Sequence, residues 1–346
     1  MNAEIVGAPA RAGFDRRTLI FAALAALVGL MMVLNLRIGS ISYTTAEILD
    51  ALANPGATSD LAYIVWNIRL PRTISAVLGG AFLATSGLLL QVYFRNPIVG
   101  PFILGISSGA TVMVSLVMLT SLGLGFGAYA PFLNTISACI GAYAVTLLVV
   151  AIAARVKSGV TLLIVGLMTG YLCGAFTSIL TALAEKDSIK GFVLWQMGSF
   201  SGFKWIEVWL LAGVGGVVLG GIHLLAKPLN AFLLGEDYAA SMGVDIRRFR
   251  VLILLAASSL AGLVTALAGS VAFIGLAIPH MARLVLRTAD NRVLVPGACL
   301  MGALVTSLCD LIARMWLSPV ELPLSAITAF FGAPIVIGLL LKRGVR

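Results

Sequence analysis

An all-α membrane protein of one domain is the fold class that this sequence predicts, and three observations predict it. Of the 346 residues, 60% are hydrophobic and only 11% are charged, less than half of the about 25% carried by a soluble domain. Mean hydropathy is +1.07. Apolar runs of about 20 residues, the length that crosses a bilayer, recur about ten times, and the strand alternation of a membrane barrel is missing.

In chain order the runs cover residues 18–36, 71–93, 99–120, 130–154, 161–184, 204–225, 251–270, 272–288, 293–313 and 323–341. Residues 1–17 read as a short N-terminal tail and 18–346 as a single ten-helix domain. The first run, from Thr18, is as long as a span and lacks a small-residue cleavage site, so no cleavable signal peptide is expected. The second opens at Pro71, which biases Leu70 away from helix and suits the first position of a new one. Arg72 then falls in that helix's first turn, where a cation meets the positive end of the dipole. Such a placement wants an external anion. Cys139, Cys173, Cys299 and Cys309 lie inside apolar runs without metal-ligand spacing and read as small core residues; no metal site is expected.

The net charge of +9 is distributed as a topology signal rather than as a nucleic-acid footprint. With the N-terminus inside and ten crossings, the outer side receives Arg37, Arg69, Arg72, Lys186, Lys190, Lys204 and Arg314. The other sixteen of the 23 basic residues fall inside. This positive-inside bias puts both termini in the cytoplasm.

A phosphate-binding G-x-x-x-x-G-K-[ST] loop is missing, so the chain has no ATP site of that kind. Its runs hold few carboxylates, Asp310 near a span end among them, whereas ion-coupled transporters keep such groups at mid-membrane. A passive channel, or a pore driven by a separate motor, remains. The loop at 229–250, LNAFLLGEDYAASMGVDIRRFR, favours the motor. Gly235 can open a turn, Glu236 and Asp237 suit a first helical turn, Gly243 supplies a stop with positive φ, and Asp245 caps a second helix through Arg247, Arg248 and Arg250. The plain alternative is a solvated loop with basic topology anchors.

That loop resembles the coupling loop of the iron-chelate, haem and vitamin B12 permease family of ABC importers, the FecCD-like transmembrane subunits. Further stretches agree in order: RLPRTISAVLGGAFLATSGLLLQVYFRNP at 69–97, ILGISSGA at 103–110, WQMGSFSG at 195–202, GSVAFIGLAIPHMARL at 269–284 and ELPLSAITAFFGAPIVIGLLL at 321–341. The resemblance implies the type II ABC importer architecture. A second permease subunit, expected to be identical, would complete the path, two ATPase subunits would sit beneath it, and a substrate-binding protein would dock outside. The subunit would be no enzyme and hold no cofactor, ATP and Mg being bound by the partner ATPase.

The resemblance also implies roles. ATPase coupling falls on Leu234, Gly235, Glu236, Asp237, Ala240, Met242, Gly243 and Val244, and binding-protein docking on Arg69, Arg72 and Arg314. Asp310, four residues before Arg314 on one helix face, is expected to pair with it. The cytoplasmic gate falls on Ser158, Gly159, Val160 and Thr161, where Gly159-Val160 departs from the small hydroxyl pair of the vitamin B12 permease; apolar side chains can still close by dewetting. Gly166, Gly170, Tyr171 and Gly174 would form pore wall, although their glycines equally permit close helix packing. Gly100 is a second departure, standing where many relatives carry an acidic residue. Arg95 reads as a helix terminus, His223 as interfacial, and His280 of the IPH motif as a structural histidine near a helix start. The expected cargo is an iron chelate of the siderophore type, with haem or cobalamin as alternatives. A channel or structural protein without a motor is the alternative of another class.

Overall fold

The computed structural model describes residues 16–55, 59–120, 130–153, 155–156 and 159–344. The expected tail lies almost wholly outside these, as do Lys157 and Ser158 of the expected gate.

Each predicted run is recovered as an apolar helix. They are α1 (Arg16–Arg37), α4 (Leu70–Tyr93), α5 (Ile106–Leu119), α6 (Ala130–Ala153), α7 (Gly159–Leu183), α9 (Trp205–Leu224), α12 (Ile246–Ala268), α13 (Ile274–Leu286), α14 (Asn291–Met315) and α15 (Leu324–Gly344). Shorter helices join them: α2 (Thr45–Ala53), α3 (Asp60–Ile64), α8 (Lys186–Gln196), α10 (Ala226–Leu233) and α11 (Glu236–Ser241). Among the described residues, seven helices are long and apolar enough to cross a membrane, and α5, α13 and the apolar part of α15 are shorter. The 99–120 run is not one continuous helix. Pro101–Leu104 form a 3-10 turn and Gly105 turns left-handed (φ 73°) before α5 begins.

The start expected at Pro71 is also corrected. Helix begins at Asp60, capped by Ser59, and continues into α4, with Leu70 fully helical (φ −67°, ψ −48°). Proline lacks the N–H that would bond the carbonyl four residues back, and its ring crowds that carbonyl. The chain answers with a π turn over Val65–Arg69, which widens the helix just before Pro71. Arg72 consequently sits inside a helix and not at its positive end.

α4 is the axis of the bundle. Its most apolar window, within Asp60–Tyr93, is 83% buried, against 11% for α7 at the periphery. Small residues let its neighbours approach. A Cβ on Gly80 would collide with the Gly302 carbonyl of α14, and one on Gly302 with the Gly80 carbonyl. Gly87 meets Gly275 of α13 in the same way, and Ser86 donates to the Ala257 carbonyl of α12 at 2.6 Å. Without a hydrophobic drive between helices inside lipid, this close backbone packing is what holds a membrane bundle. At 1.5 Å per residue the 24 residues of α4 extend about 36 Å, so Arg72 and Tyr93 mark opposite ends of the molecule.

Candidate functional site: two ends of one bundle

At the Tyr93 end the 229–250 loop folds by its local chemistry. α10 stops at Leu233, and Gly235 takes φ 127°, a value a side chain rarely tolerates. Glu236 and Asp237 open α11, where negative charge suits the dipole. Gly243 (φ 85°) ends that turn, and the Asp245 carboxylate accepts the Arg248 N–H at 3.0 Å to cap α12. Ala239 faces inward and is buried, whereas Leu234, Tyr238 and Met242 are exposed. Tyr238 and Met242, four apart, share one face of α11, and Leu234, before the break at Gly235, lines one cavity with Tyr238, so the three leave an apolar ridge exposed. Behind it a cavity of about 720 Å³ is lined by Phe94, Arg95, Gly159, Val160, Leu234, Glu236 and Asp237, among others. Four of the eight residues expected to couple, Leu234, Gly235, Glu236 and Asp237, thus share one cavity with the first turn of α7. Val160 there is exposed.

This end is tied to the rest by two clusters that the sequence reading missed. Arg250 reaches from α12 to carbonyls at the end of α6 and to Glu236. Asn230 of α10 donates to Asp290, which caps α14, and its oxygen accepts from the Asn291 backbone at 2.8 Å. The backbone N–H of Arg292, then the Asn230 amide, hold the Asp290 carboxyl below its usual range. Arg95 follows the end of α4 with φ 46°, a helix terminus as expected. His223 is exposed in the last turn of α9. His280 lies in the middle of α13 beside Pro279, not near the helix start expected for it.

At the opposite end lie Arg69, Arg72 and Arg314, the residues expected to dock a binding protein, and each is held by partners within this chain. Arg72 makes a bidentate contact with Asp310 (Nε and Nη2, both 3.0 Å) and reaches Glu321 at 2.6 Å. Asp310 is 1% exposed; a carboxylate so buried needs a charged, hydrogen-bonded partner. The Arg314–Asp310 pair expected from their spacing does not form, because Arg72 claims the carboxylate. Arg314 instead donates to the Asn35 carbonyl and side-chain oxygen at 2.6 and 3.0 Å. Arg69 donates to the Leu36, Arg37 and Ile41 carbonyls and lies 4.9 Å over the Tyr43 ring. The anion that Arg72 was expected to seek outside is supplied within.

Between the ends, α7 divides the expected pore-wall residues. A Cβ on Gly166 would lie 2.9 Å from Leu104 Cα, so Gly166 serves close contact, whereas one on Gly170 would meet Ser108 Oγ at an ordinary 3.4 Å. Gly174 has nothing within 4 Å and Tyr171 is exposed. Gly174 lines a cavity of about 610 Å³ with Ser107, Ser108, Thr111, Thr177, Ser178, Thr181 and Gln196. Its described lining carries hydroxyls and one amide but no charged side chain. Gly100 is buried at the start of the 3-10 turn. Among the described residues no group of three or more His, Cys, Asp or Glu is placed to hold a metal, and all four cysteines are free thiols.

The FecCD transport family model matches residues 26–342. This chain belongs to that family. It is 38% identical over 278 residues, 80% of this chain and 83% of the relative, to the vitamin B12 import system permease proteins BtuC of Salmonella paratyphi A and Salmonella typhi. A solved inward-facing structure of a putative metal-chelate type ABC transporter matches with TM-score 0.81 and 29% identity, over 94% of this chain and 99% of that one. A more distant likeness of fold, TM-score 0.54 at 16% identity over 84% of this chain and 94% of that one, is to PsaBC from Streptococcus pneumoniae. The chain is thus the multi-pass, non-catalytic permease subunit of a FecCD-type ABC importer, ATP being bound by a partner ATPase.

Proposed function

We propose that this FecCD-family permease pairs with a second copy through the open side around α7, and that the pair conducts a large metal chelate inward. An ATPase subunit seats on the exposed ridge of Leu234, Tyr238 and Met242. The observation that carries this reading is the cavity shared by Leu234–Asp237 and Gly159-Val160. A force applied to the ridge reaches the first turn of α7, where Val160 and Thr161 form the gate. The wall above is the hydroxyl-lined face at Gly174, which offers weak, uncharged contacts suited to a cargo that must pass and not stay.

The bias of basic residues supports cytoplasmic termini in the cell inner membrane, with the Arg72 end outside. A binding protein docks on that end, its carboxylates taking over from Glu321, whose side chain is 42% exposed. An iron chelate of the siderophore type is the cargo the sequence favours; the 38% identity to vitamin B12 permeases supports cobalamin as a second reading. Both are metal chelates. Proteoliposomes holding the permease, its ATPase and its binding protein are expected to accumulate one of labelled ferric siderophore, haem or cobalamin only with ATP on the ATPase side of the membrane. Accumulation of none, with ATP hydrolysis intact, would remove the chelate reading.

A further inference from the structure

The geometry points to Arg250 as the positioning residue that binds the coupling helix to the gate-side end of α6, so that displacement of one carries the other. We propose this on top of the coupling reading above, and it assigns a task to a residue that charge bias alone makes a topology anchor.

Arg250 lies in the second turn of α12, and only 14% of its side chain is exposed. Nη1 donates to the carbonyls of Ala153 and Val156 at 2.9 and 3.0 Å. Ala153 is the last residue of α6, where carbonyls lack partners within the helix and a cation also meets the negative end of the dipole; Val156 lies just beyond it. Nη2 donates to both Glu236 oxygens at 3.3 Å. Glu236 is the first residue of α11, directly after Gly235. One guanidinium therefore joins the end of α6, the start of α11 and the start of α12.

The position of this joint next to the gate gives it meaning. Soon after Val156 the chain reaches Gly159 and Val160, which line the same cavity as Glu236 and Asp237. The joint is backed by packed rings: Phe232 lies 5.2 Å from Phe249 of α12 and stacks on Tyr93 at 5.8 Å. The floor is consequently stiff, and Gly235 and Gly243, both at positive φ, bound the small helix that the ATPase would push.

Such a bridge needs a fork. A guanidinium presents donors on two edges at once, whereas an ammonium is a single point charge on a flexible stem. Arg250→Lys keeps the charge and loses the simultaneous grip. A residue that served only as a topology anchor would be restored fully by lysine. The two roles part at this substitution.

The test is hydrogen exchange on the permease in lipid nanodiscs, with and without its ATPase subunits, comparing the native chain with Arg250→Lys and Arg250→Gln. In the native chain the ATPase is expected to slow exchange at 236–241 and at 152–160 together. In Arg250→Lys the slowing at 236–241 is expected to persist while that at 152–160 falls about fivefold or more, the scale of a modest coupling energy. Should Arg250→Gln fail to assemble, Arg250→Lys decides alone. Native protection at both segments in Arg250→Lys overturns the proposal, and so does parallel loss at both, which would mean that Arg250 only seats the helix. A native chain whose 236–241 segment is not protected by the ATPase brings down the coupling reading itself.

Discussion

Arg72 exchanges its hydration for two carboxylates, and this contact explains more of its end of the bundle than any other. Removing one member of a buried pair leaves the other uncompensated, at a cost of about 3–5 kcal/mol. Asp310→Asn is accordingly expected to lower the thermal unfolding midpoint in detergent sharply. The joint replacement Arg72→Met with Asp310→Leu should cost less than the sum of the single changes. Near the other end, Asp245→Ala removes a cap and is expected to weaken the start of α12 by about 1 kcal/mol, seen as faster exchange at 246–249. The cap could be read in the sequence, because its logic spans three residues. The ion pair could not: Asp310 and Arg314 are neighbours on one helix face, but the competing Arg72 lies 238 positions away, and only the fold decides between them.

Helices were legible wherever a long apolar run set the bounds, even across Pro296 of α14. The runs of α1, α6, α9 and α14 match their helices to within a few residues. Where the reading failed, a local rule had been overridden or passed over. Pro71 marks a helix start in isolation, but a π turn carries the helix through it. Thr44 and Glu47 form a full capping box for α2, a pattern visible in T-x-x-E that a search for apolar runs does not seek. Glycine roles were half legible: their spacing signalled contact or pore, and only the neighbours distinguish the two. Gly80→Ala is expected to lose about 1–3 kcal/mol by overpacking against α14, whereas Gly174→Ala, with open space around it, should stay within about 0.5 kcal/mol of the native chain. Thermal unfolding of both variants in one detergent checks the contrast.

For the molecule as a whole, the sequence yielded the class and the family, because each rests on composition or on contiguous motifs. It did not yield the hydroxyl-lined cavity, whose residues come from the separated segments 102–111, 174–196 and 270. Nor did it reveal that the 229–250 loop and the first turn of α7 close on one space. A bundle with a buried axial helix, a peripheral apolar helix and an exposed ridge at one end is built to be completed by partners. The most direct measurement is ATP-driven cargo uptake and ATPase binding by the reconstituted complex, comparing the native chain with Leu234→Ser/Tyr238→Ser/Met242→Ser. These side chains are exposed, so the variant should fold. The account predicts at least about tenfold weaker ATPase binding, as for loss of central interface anchors, and no uptake. A variant that holds its ATPase and imports as the native chain does would contradict it.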